Sequence, residues 1–457
     1  MKKTNVIFIL ADDMGYGDFG MFSEGNAITP ALDQMVSEGV CLTQCYAAAP
    51  VCVPSRAALL TGRYNHRTGA IDMRELRGLS SMSLKETTIA DVFKQNGYKT
   101  GLMGKWHNGT IGKEYHPCSR GFDEFVGFRG GMSRYYDWRL YYNYEMRESD
   151  GRHLTDVLTD ESIDFITRHK DKPFFLKVSY NAPHSPYEAP EEDIKIFADR
   201  NKYNKTVSTL YAMILGMDRG IARIFETLKQ LNLDENTLVV FTSDNGPQFG
   251  GEGENCSDRF NCNLNGAKEQ VFEGGIKVPG VMRWPGTLTH RERENCFVHG
   301  TDWFPTLLAA AGIEVPAHLK LDGENVLPQL LGEVEPTHIK RFWQWNRYAP
   351  EVTCNAAIRD GNWKLVRPPI RAAMTVNRDD WNTDRIVERD PEKYTEFDKS
   401  PFPPRELPPP VTPMLFDLDS DPCEQNDLAA KYPERAKQML EELTTWFNEV
   451  EAERRAL

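Results

Sequence analysis

Short apolar runs alternate with amphipathic stretches along most of the chain. The runs at 6–10, 174–178 and 238–242 have the length of strands and are flanked by polar turn residues, and a weaker run covers 99–103. Apolar residues at helical spacing over 29–39, 88–97 and 210–231 predict helices that bury one face. This alternation predicts an α/β fold with a large, mostly parallel sheet covered by helices on both faces.

Polar residues follow each predicted strand, and ligands of such sheets bind beyond the carboxyl ends of the strands. We therefore expect these residues to converge on one edge of the sheet. Asp12 and Asp13 follow the run at 6–10, and Lys105 and His107 follow the weaker run at 99–103. His184 follows the run at 174–178, and Asp244 and Asn245 follow the run at 238–242.

The composition of the chain changes near Trp343, and we predict two parts. A large α/β domain would cover 1–340, and a smaller C-terminal α+β unit, an antiparallel sheet plus a helix, would cover 341–457. Ten of the 28 prolines fall between 367 and 413, which predicts a long irregular insertion there. The chain ends in a predicted amphipathic helix with one apolar face: Met439, Leu440, Leu443, Trp446, Phe447 and Val450.

Charge and composition exclude several classes of protein. A net charge of −13 has the wrong sign for general nucleic-acid binding. No apolar run approaches the roughly 20 residues that span a bilayer, so we predict no membrane span. The start of the chain has no signal-peptide cleavage site, which predicts a cytoplasmic protein, or a periplasmic or secreted one if a leader was removed. Nine cysteines without metal-type or redox C-x-x-C spacing indicate neither a disulfide framework nor a zinc site.

The most informative stretch is Cys52-Val53-Pro54-Ser55-Arg56. Pro54 suits the first position of a helix, which places Cys52 at a helix N-terminus, where free N–H groups and the helix dipole favour an anion. Arg56 adds a planar guanidinium for a tetrahedral oxyanion. The alternative interpretation is a half-buried cysteine that enters a helix.

Together with the downstream Leu60-Thr61-Gly62-Arg63, this stretch resembles the formylglycine signature of type I sulfatases, a family of the alkaline phosphatase-like superfamily. The resemblance implies that a maturation enzyme oxidises Cys52 to formylglycine and that 1–340 is the catalytic domain. One hydroxyl of the hydrated aldehyde would attack sulfur, and deprotonation of the second would expel sulfate. An unmodified thiol has no second hydroxyl.

Asp12, Asp13, Asp244 and Asn245 form an all-oxygen set of hard ligands, which suits Ca²⁺ or Mg²⁺ rather than zinc. The resemblance implies one Ca²⁺ at these positions, which also binds the modified Cys52 and a sulfate oxygen. Taken alone, Asp244 and Asn245 could also form an ordinary capping turn.

Short strings around the remaining candidates also look like sulfatase motifs: Gly-Lys-Trp-His around Lys105 and His107, Ala-Pro-His-Ser-Pro around His184, and the pattern that begins at Lys268. The resemblance implies that Arg56 and Lys105 stabilise the nucleophile and the sulfate charge and that His107 accepts a proton during elimination. His184 and Lys268 would bind sulfate and protonate the leaving oxygen. A single histidine is more often structural, so these roles depend on the signature at Cys52.

Aromatic and arginine-rich segments at 130–142 and 343–348 suit sugar rings, so we predict a small sulfated mono- or oligosaccharide as substrate. The net charge of −13 disfavours processive binding to long polyanions. The alternative is that these aromatic side chains pack between the two parts of the chain. The candidate substrate-binding residues are Arg134, Tyr135, Trp138 and Trp345.

Two other functions compete with this prediction. One is a phosphonate or phosphate ester hydrolase of the same superfamily, whose zinc-dependent members generally have Asp-His where this chain has Asp244-Asn245. The other is a binding protein for sulfated ligands that keeps the pocket but lacks a modified Cys52.

Overall fold

A ten-stranded sheet forms the centre of the fold, and a four-stranded sheet lies toward the C-terminus. The structure is a computed structural model that describes residues 3–251, 254–288, 291–292, 296–337 and 340–457. The strands within these residues are β1 Asn5–Ala11, β2 Gly39–Cys41, β3 Gln44–Tyr46, β4 Lys99–Lys105, β5 Glu124–Phe128, β6 Arg139–Tyr142, β7 Glu145–Glu148, β8 Phe174–Ser179, β9 Thr237–Ser243, β10 Gly250–Gly251, β11 Glu254–Asn255, β12 Gly280–Arg283, β13 Arg291–Glu292, β14 Phe297–His299, β15 Lys340–Gln344, β16 Ala356–Asp360, β17 Trp363–Arg367 and β18 Met414–Asp417.

The helices predicted from apolar spacing are all present, and the one predicted over 210–231 begins earlier, at Lys205. Among the described helices, none is long and apolar enough to cross a bilayer. The α-helices in the same residues are α1 Pro30–Ser37, α2 Cys52–Thr61, α3 Asn65–Thr68, α4 Ile89–Gln95, α5 Leu154–Arg168, α6 Glu191–Ala198, α7 Lys205–Gln230, α8 Glu273–Ile276, α9 Trp303–Ala310, α10 Leu327–Leu331, α11 Arg371–Met374, α12 Arg378–Arg389 and α13 Pro433–Arg454.

The large sheet has the strand order β13-β2-β12-β9-β1-β8-β4-β5-β6-β7. Its central strands, β9, β1, β8, β4 and β5, are parallel to one another. On one side of this centre β12 pairs antiparallel with β9, and on the other β6 pairs antiparallel with β5 and β7 with β6. The predicted α/β fold with a mostly parallel sheet is therefore confirmed. All four predicted strands lie in its parallel centre.

Each face of the large sheet carries its own apolar core. In β1, Ile7 and Ile9 point to the face covered by α1, α5 and α7. Phe8 and Leu10 point to the other face, covered by α2, α4 and α9. A strand that is buried on both faces has a continuous apolar sequence. These strands could therefore be predicted from the sequence.

The predicted antiparallel sheet and amphipathic helix of the C-terminal part are confirmed. Strands β15 to β18 pair antiparallel in chain order. The helix α13 packs Leu443 and Val450 against Ile358 and Leu415 of this sheet. The division into parts at residue 341 stays a prediction.

The expectation that 367–413 is irregular is wrong for the middle of this segment. The short helix α11 and the twelve-residue helix α12 lie there. The prolines of the segment stand before residue 370 and from residue 391 onward, which leaves a stretch between them free to form helix. Asn377 caps α12, because its Oδ1 accepts the Asp379 N–H at 2.7 Å.

Candidate active site

Four acidic or amide side chains lie at the carboxyl ends of the neighbouring strands β1 and β9. Asp12 and Asp13 directly follow β1, Asp244 and Asn245 directly follow β9, and all four are buried. The Asp13 N–H donates to Asp244 Oδ1 at 3.2 Å, and Asn245 Nδ2 donates to Asp13 Oδ1 at 2.7 Å. The parallel register of the two strands thus brings the predicted metal ligands together.

Two oxygen atoms of this set fit a hard cation. Asp12 Oδ1 and Asn245 Oδ1 are buried and accept no hydrogen bond from the described residues. A buried acceptor without a partner costs free energy, and carboxylate and amide oxygens are the ligands that Ca²⁺ and Mg²⁺ prefer. In addition, side-chain ligand atoms of Asp12, Asp13 and His184 lie within 4.8 Å of one another. The residues present therefore suit a hard divalent cation.

Three cations alternate with the three carboxylates of the site. Arg56 Nη2 lies 2.7 Å from Asp244 Oδ2 and 3.6 Å from Asp12 Oδ1. Lys105 Nζ lies 2.7 Å from Asp12 Oδ2. Lys268 Nζ lies 2.7 Å from Asp13 Oδ2. Because the charges balance without a metal, a bound divalent cation would make the site positive, which favours an anionic ligand such as a sulfate ester.

Cys52 is the first residue of α2, and its side chain is buried. Pro54 occupies the third helical position rather than the first, which a helix tolerates because N–H groups of the first turn have no helical acceptor. Burial raises the pKa of the Cys52 thiol, but Lys105 and His107 outweigh burial and lower it to about 6. Burial lowers the pKa of His107, but Cys52 and Glu75 outweigh it and raise it to about 9. The site therefore stabilises negative charge at residue 52.

His184 lies beside the acidic set, with its Nε2 atom 3.7 Å from Asp13 Oδ2. Its Nδ1 atom lies 2.6 Å from the carbonyl oxygen of Ser185, so Nδ1 is the nitrogen that carries a hydrogen. Burial and the neighbouring Lys268 lower the pKa of His184 to about 3, although the Asp13 carboxylate opposes them.

One cavity of about 630 Å³ lies beside this site. Four of the predicted catalytic residues form its floor: Cys52, His107, His184 and Lys268. One face of α12 and two arginines of other segments form part of its wall. These wall residues are Arg74, Arg347, Trp381, Asp384, Arg385 and Glu388.

Comparison with known proteins assigns this arrangement to a family. The sequence model described as Sulfatase matches residues 4–313. The chain belongs to the sulfatase family. The C-terminal model of N-sulphoglucosamine sulphohydrolase also matches this sulfatase, over residues 267–389. The resemblance to sulfatases inferred from the sequence is thus confirmed.

This sulfatase is 34% identical over 364 residues to human N-acetylgalactosamine-6-sulfatase, and 34% identical over 385 residues to the uncharacterized sulfatase YdeN of Escherichia coli (strain K12). Each alignment covers 72% of this chain, and the chain spans 66% of the length of each relative. The fold superposes on the crystal structure of Ps i-CgsB in complex with k-i-k-neocarrahexaose with a TM-score of 0.81. That match has 30% sequence identity and covers 97% of this chain and 93% of the other.

The four predicted substrate-binding residues of this sulfatase lie outside the lining of the cavity. Tyr135 is fully buried, and its hydroxyl donates to the His184 carbonyl at 2.9 Å, so it supports the loop of His184. Trp138 is also buried, and its indole N–H donates to a main-chain carbonyl. Trp345 is buried beneath the Arg347 guanidinium, and Arg134 is exposed. Their role in substrate binding stays a prediction.

Sequence reasoning missed two features of the site. Glu75 is buried, with its Oε1 atom 3.2 Å from His107 Nε2 and its Oε2 atom accepting the Ser80 hydroxyl at 2.6 Å. Glu388 of α12 lies near the same imidazole and accepts the Gly131 N–H at 2.9 Å. No motif marks Glu75. For α12, the sequence does contain a signal, because Trp381, Asp384, Arg385 and Glu388 have the i, i+3, i+4, i+7 spacing of one helix face.

Proposed function

We propose that this sulfatase hydrolyses a sulfate monoester of a saccharide, that its reactive group is formylglycine made from Cys52 by a maturation enzyme, and that it binds one Ca²⁺, with Mg²⁺ as the alternative hard ion. The observation that carries the proposal is that Cys52, three cations and two oxygen atoms without hydrogen bonds from the described residues lie together at one end of the sheet. Asp12, Asp13, Asp244, Asn245 and residue 52 would hold the ion.

When present, formylglycine supplies a hydrated aldehyde as the nucleophile, and the ion neutralises charge on the sulfate. The residues of the chain act around these groups. Arg56 is fixed by Asp244 and by Ser179 Oγ, at 2.6 Å from Nη1, so its charge stays at the strand ends and would stabilise negative charge on residue 52 and on the sulfate. Lys105, fully buried beside Asp12, adds a second positive charge that burial strengthens.

The side chains that form the cavity floor carry out the proton transfers. Conversion of Cys52 to formylglycine would remove the thiolate that is the main cause of the raised pKa of His107. His107, oriented by Glu75, then accepts the proton released at residue 52 when sulfate is expelled. Lys268 and a His184 protonated at Nε2 would hold the sulfate oxygens beside Asp13. Both residues are placed to protonate the leaving alcohol oxygen.

A saccharide as the alcohol part of the substrate is supported by the relatives and by the cavity. Human N-acetylgalactosamine-6-sulfatase acts on a sugar sulfate by its name, and Ps i-CgsB was crystallised with a neocarrahexaose. A cavity of about 630 Å³ has the volume of a site for a small molecule.

The proposal is tested with protein produced together with a formylglycine-generating enzyme. We expect release of inorganic sulfate from sugar sulfates and from 4-nitrophenyl sulfate, and mass spectrometry of the peptide containing residue 52 should show the aldehyde. Faster turnover of a phosphonate monoester than of any sulfate ester would favour the competing hydrolase. Absence of turnover with a fully converted residue 52 would favour a binding protein.

Replacing Glu75 with alanine is expected to lower kcat by about 10- to 100-fold with little change in KM. The reason is that Glu75 Oε1, 3.2 Å from His107 Nε2, holds the imidazole in the orientation that leaves Nδ1 for residue 52. Initial rates with 4-nitrophenyl sulfate measure both constants. Glu86→Ala is the matched control, because Glu86 is also buried but pairs with Arg63 outside the cavity. Equal losses in the two variants would mean that the effect is structural.

A further inference from the structure

One face of α12 forms a wall of the cavity whose floor contains four of the predicted catalytic residues. Trp381, Asp384, Arg385 and Glu388 follow one another at i, i+3, i+4 and i+7, and all four line the cavity. Since Glu388 lies near His107 at the inner end, the earlier turns of the helix lie beside the space available to the alcohol part of a sulfate ester.

Polar contacts with the loop that follows α3 and with Tyr348 fix the position of α12. Asp380 accepts two hydrogen bonds from Arg77, at 3.0 Å each, and one from the Tyr348 hydroxyl at 2.7 Å. Asp384 accepts the Leu76 N–H at 3.1 Å. Contacts with other segments therefore hold this wall in a fixed position, as recognition of a defined ligand requires.

Arg74 and Asp384 form an ion pair in this wall, and three of their polar atoms make no hydrogen bond within the described residues. Arg74 and Asp384 are 2% and 6% exposed, and Arg74 Nη1 lies 2.7 Å from Asp384 Oδ2. Within the described residues, neither of these two atoms makes a hydrogen bond, and neither does Arg74 Nε. A sugar hydroxyl both donates and accepts, so it can satisfy the pair at once.

An apolar surface lies next to this polar pair. Trp381 is 38% exposed, and its ring centroid lies 5.6 Å from the Arg74 guanidinium and 5.3 Å from that of Arg385. The side chain is thus held near the two arginines while part of the indole faces the cavity. An exposed aromatic surface beside convergent polar groups suits a sugar ring, which has apolar C–H bonds and hydroxyls.

We propose that Trp381 and the Arg74–Asp384 pair bind the sugar ring of the substrate and select saccharide sulfates over simple aryl sulfates. The C–H bonds of the ring would pack on the indole, and a hydroxyl would bond to the arginine and the carboxyl. An aryl group offers no such hydroxyl and would leave these atoms of the ion pair without a hydrogen bond, which disfavours it. This inference rests on the proposed sulfate ester hydrolysis.

The test measures kcat/KM for 4-nitrophenyl sulfate and for a panel of galactose, glucose, N-acetylgalactosamine and N-acetylglucosamine monosulfates. Trp381→Ala is expected to lower kcat/KM for the fastest sugar sulfate by about 10-fold more than for 4-nitrophenyl sulfate, mainly through KM. Asp384→Asn, which keeps the volume, should shift the same ratio in the same direction. Titration calorimetry with that sugar sulfate in a Cys52→Ala background, with and without Trp381→Ala, gives a readout independent of turnover.

Tyr432→Ala is the control, because Tyr432 is also 38% exposed but does not line the cavity, and it should leave both activities unchanged. The inference is overturned if the wild type turns over 4-nitrophenyl sulfate but no sugar sulfate in the panel, or if Trp381→Ala leaves the ratio of the two activities unchanged. A wild type that turns over neither class instead contradicts the proposed function.

Discussion

Replacing Cys52 with alanine is expected to lower kcat for sulfate ester hydrolysis by at least about 10⁴-fold, because the variant has no side chain that can become the nucleophile. The fold should survive. The substitution removes one buried sulfur atom from the start of α2, at a cost in unfolding free energy on the order of 1 kcal/mol. Sulfate release and the thermal unfolding temperature measure the two effects separately.

Cys45→Ala is the matched control for this experiment. Cys45 is also buried, in β3, but its Sγ atom faces Thr242 Oγ1 at 3.7 Å and lies outside the cavity. Burial raises the pKa of the Cys45 thiol to about 12, whereas Lys105 and His107 lower that of Cys52 to about 6. Cys45→Ala should lose a similar amount of stability and keep its activity. Activity of Cys52→Ala close to that of Cys45→Ala would show that the nucleophile is another residue.

The centre of the fold and the candidate metal ligands could be predicted from the sequence for one physical reason. Strands such as β1 and β9 are buried on both faces, so their apolar runs are continuous and end sharply where the chain reaches the open edge of the sheet. The residues directly after them, Asp12 and Asp244, therefore come to the same edge without any knowledge of long-range contacts.

The wall of the cavity could not be predicted in this way, because contacts distant in sequence position it. The bond from Leu76 to Asp384 joins residues 308 positions apart, and nothing local in either segment indicates it. The high proline content of 367–413 as a whole predicts an irregular segment, although the stretch that forms α12 contains no proline. Likewise, composition does not distinguish Trp381, which faces the cavity, from the buried Trp138.

Removing the divalent cation is expected to lower the sulfatase activity by more than about 100-fold and to lower the thermal unfolding temperature. Without the cation, Asp12 Oδ1 and Asn245 Oδ1 accept no hydrogen bond from the described residues, and the site loses the charge that offsets the sulfate. An ion held at 100 times its Kd stabilises the folded state by about 2.7 kcal/mol, which a melting curve resolves. Dialysis against a chelator, followed by titration with Ca²⁺ and then Mg²⁺, should restore both properties and identify the ion.

A pair of aspartate variants separates loss of the ion from loss of a buried carboxylate. Asp12→Ala should abolish bound metal, measured by elemental analysis, and should no longer respond to chelator. Asp218→Ala removes another buried carboxylate, which accepts the N–H groups of Ala31 and Leu32 at 2.9 Å each. It should lower stability through the loss of these bonds and still bind one ion per chain, because Asp218 belongs to α7 and not to the strand ends. Unchanged rates and melting temperature after exhaustive chelation of the wild type would contradict a metal site at Asp12, Asp13, Asp244 and Asn245.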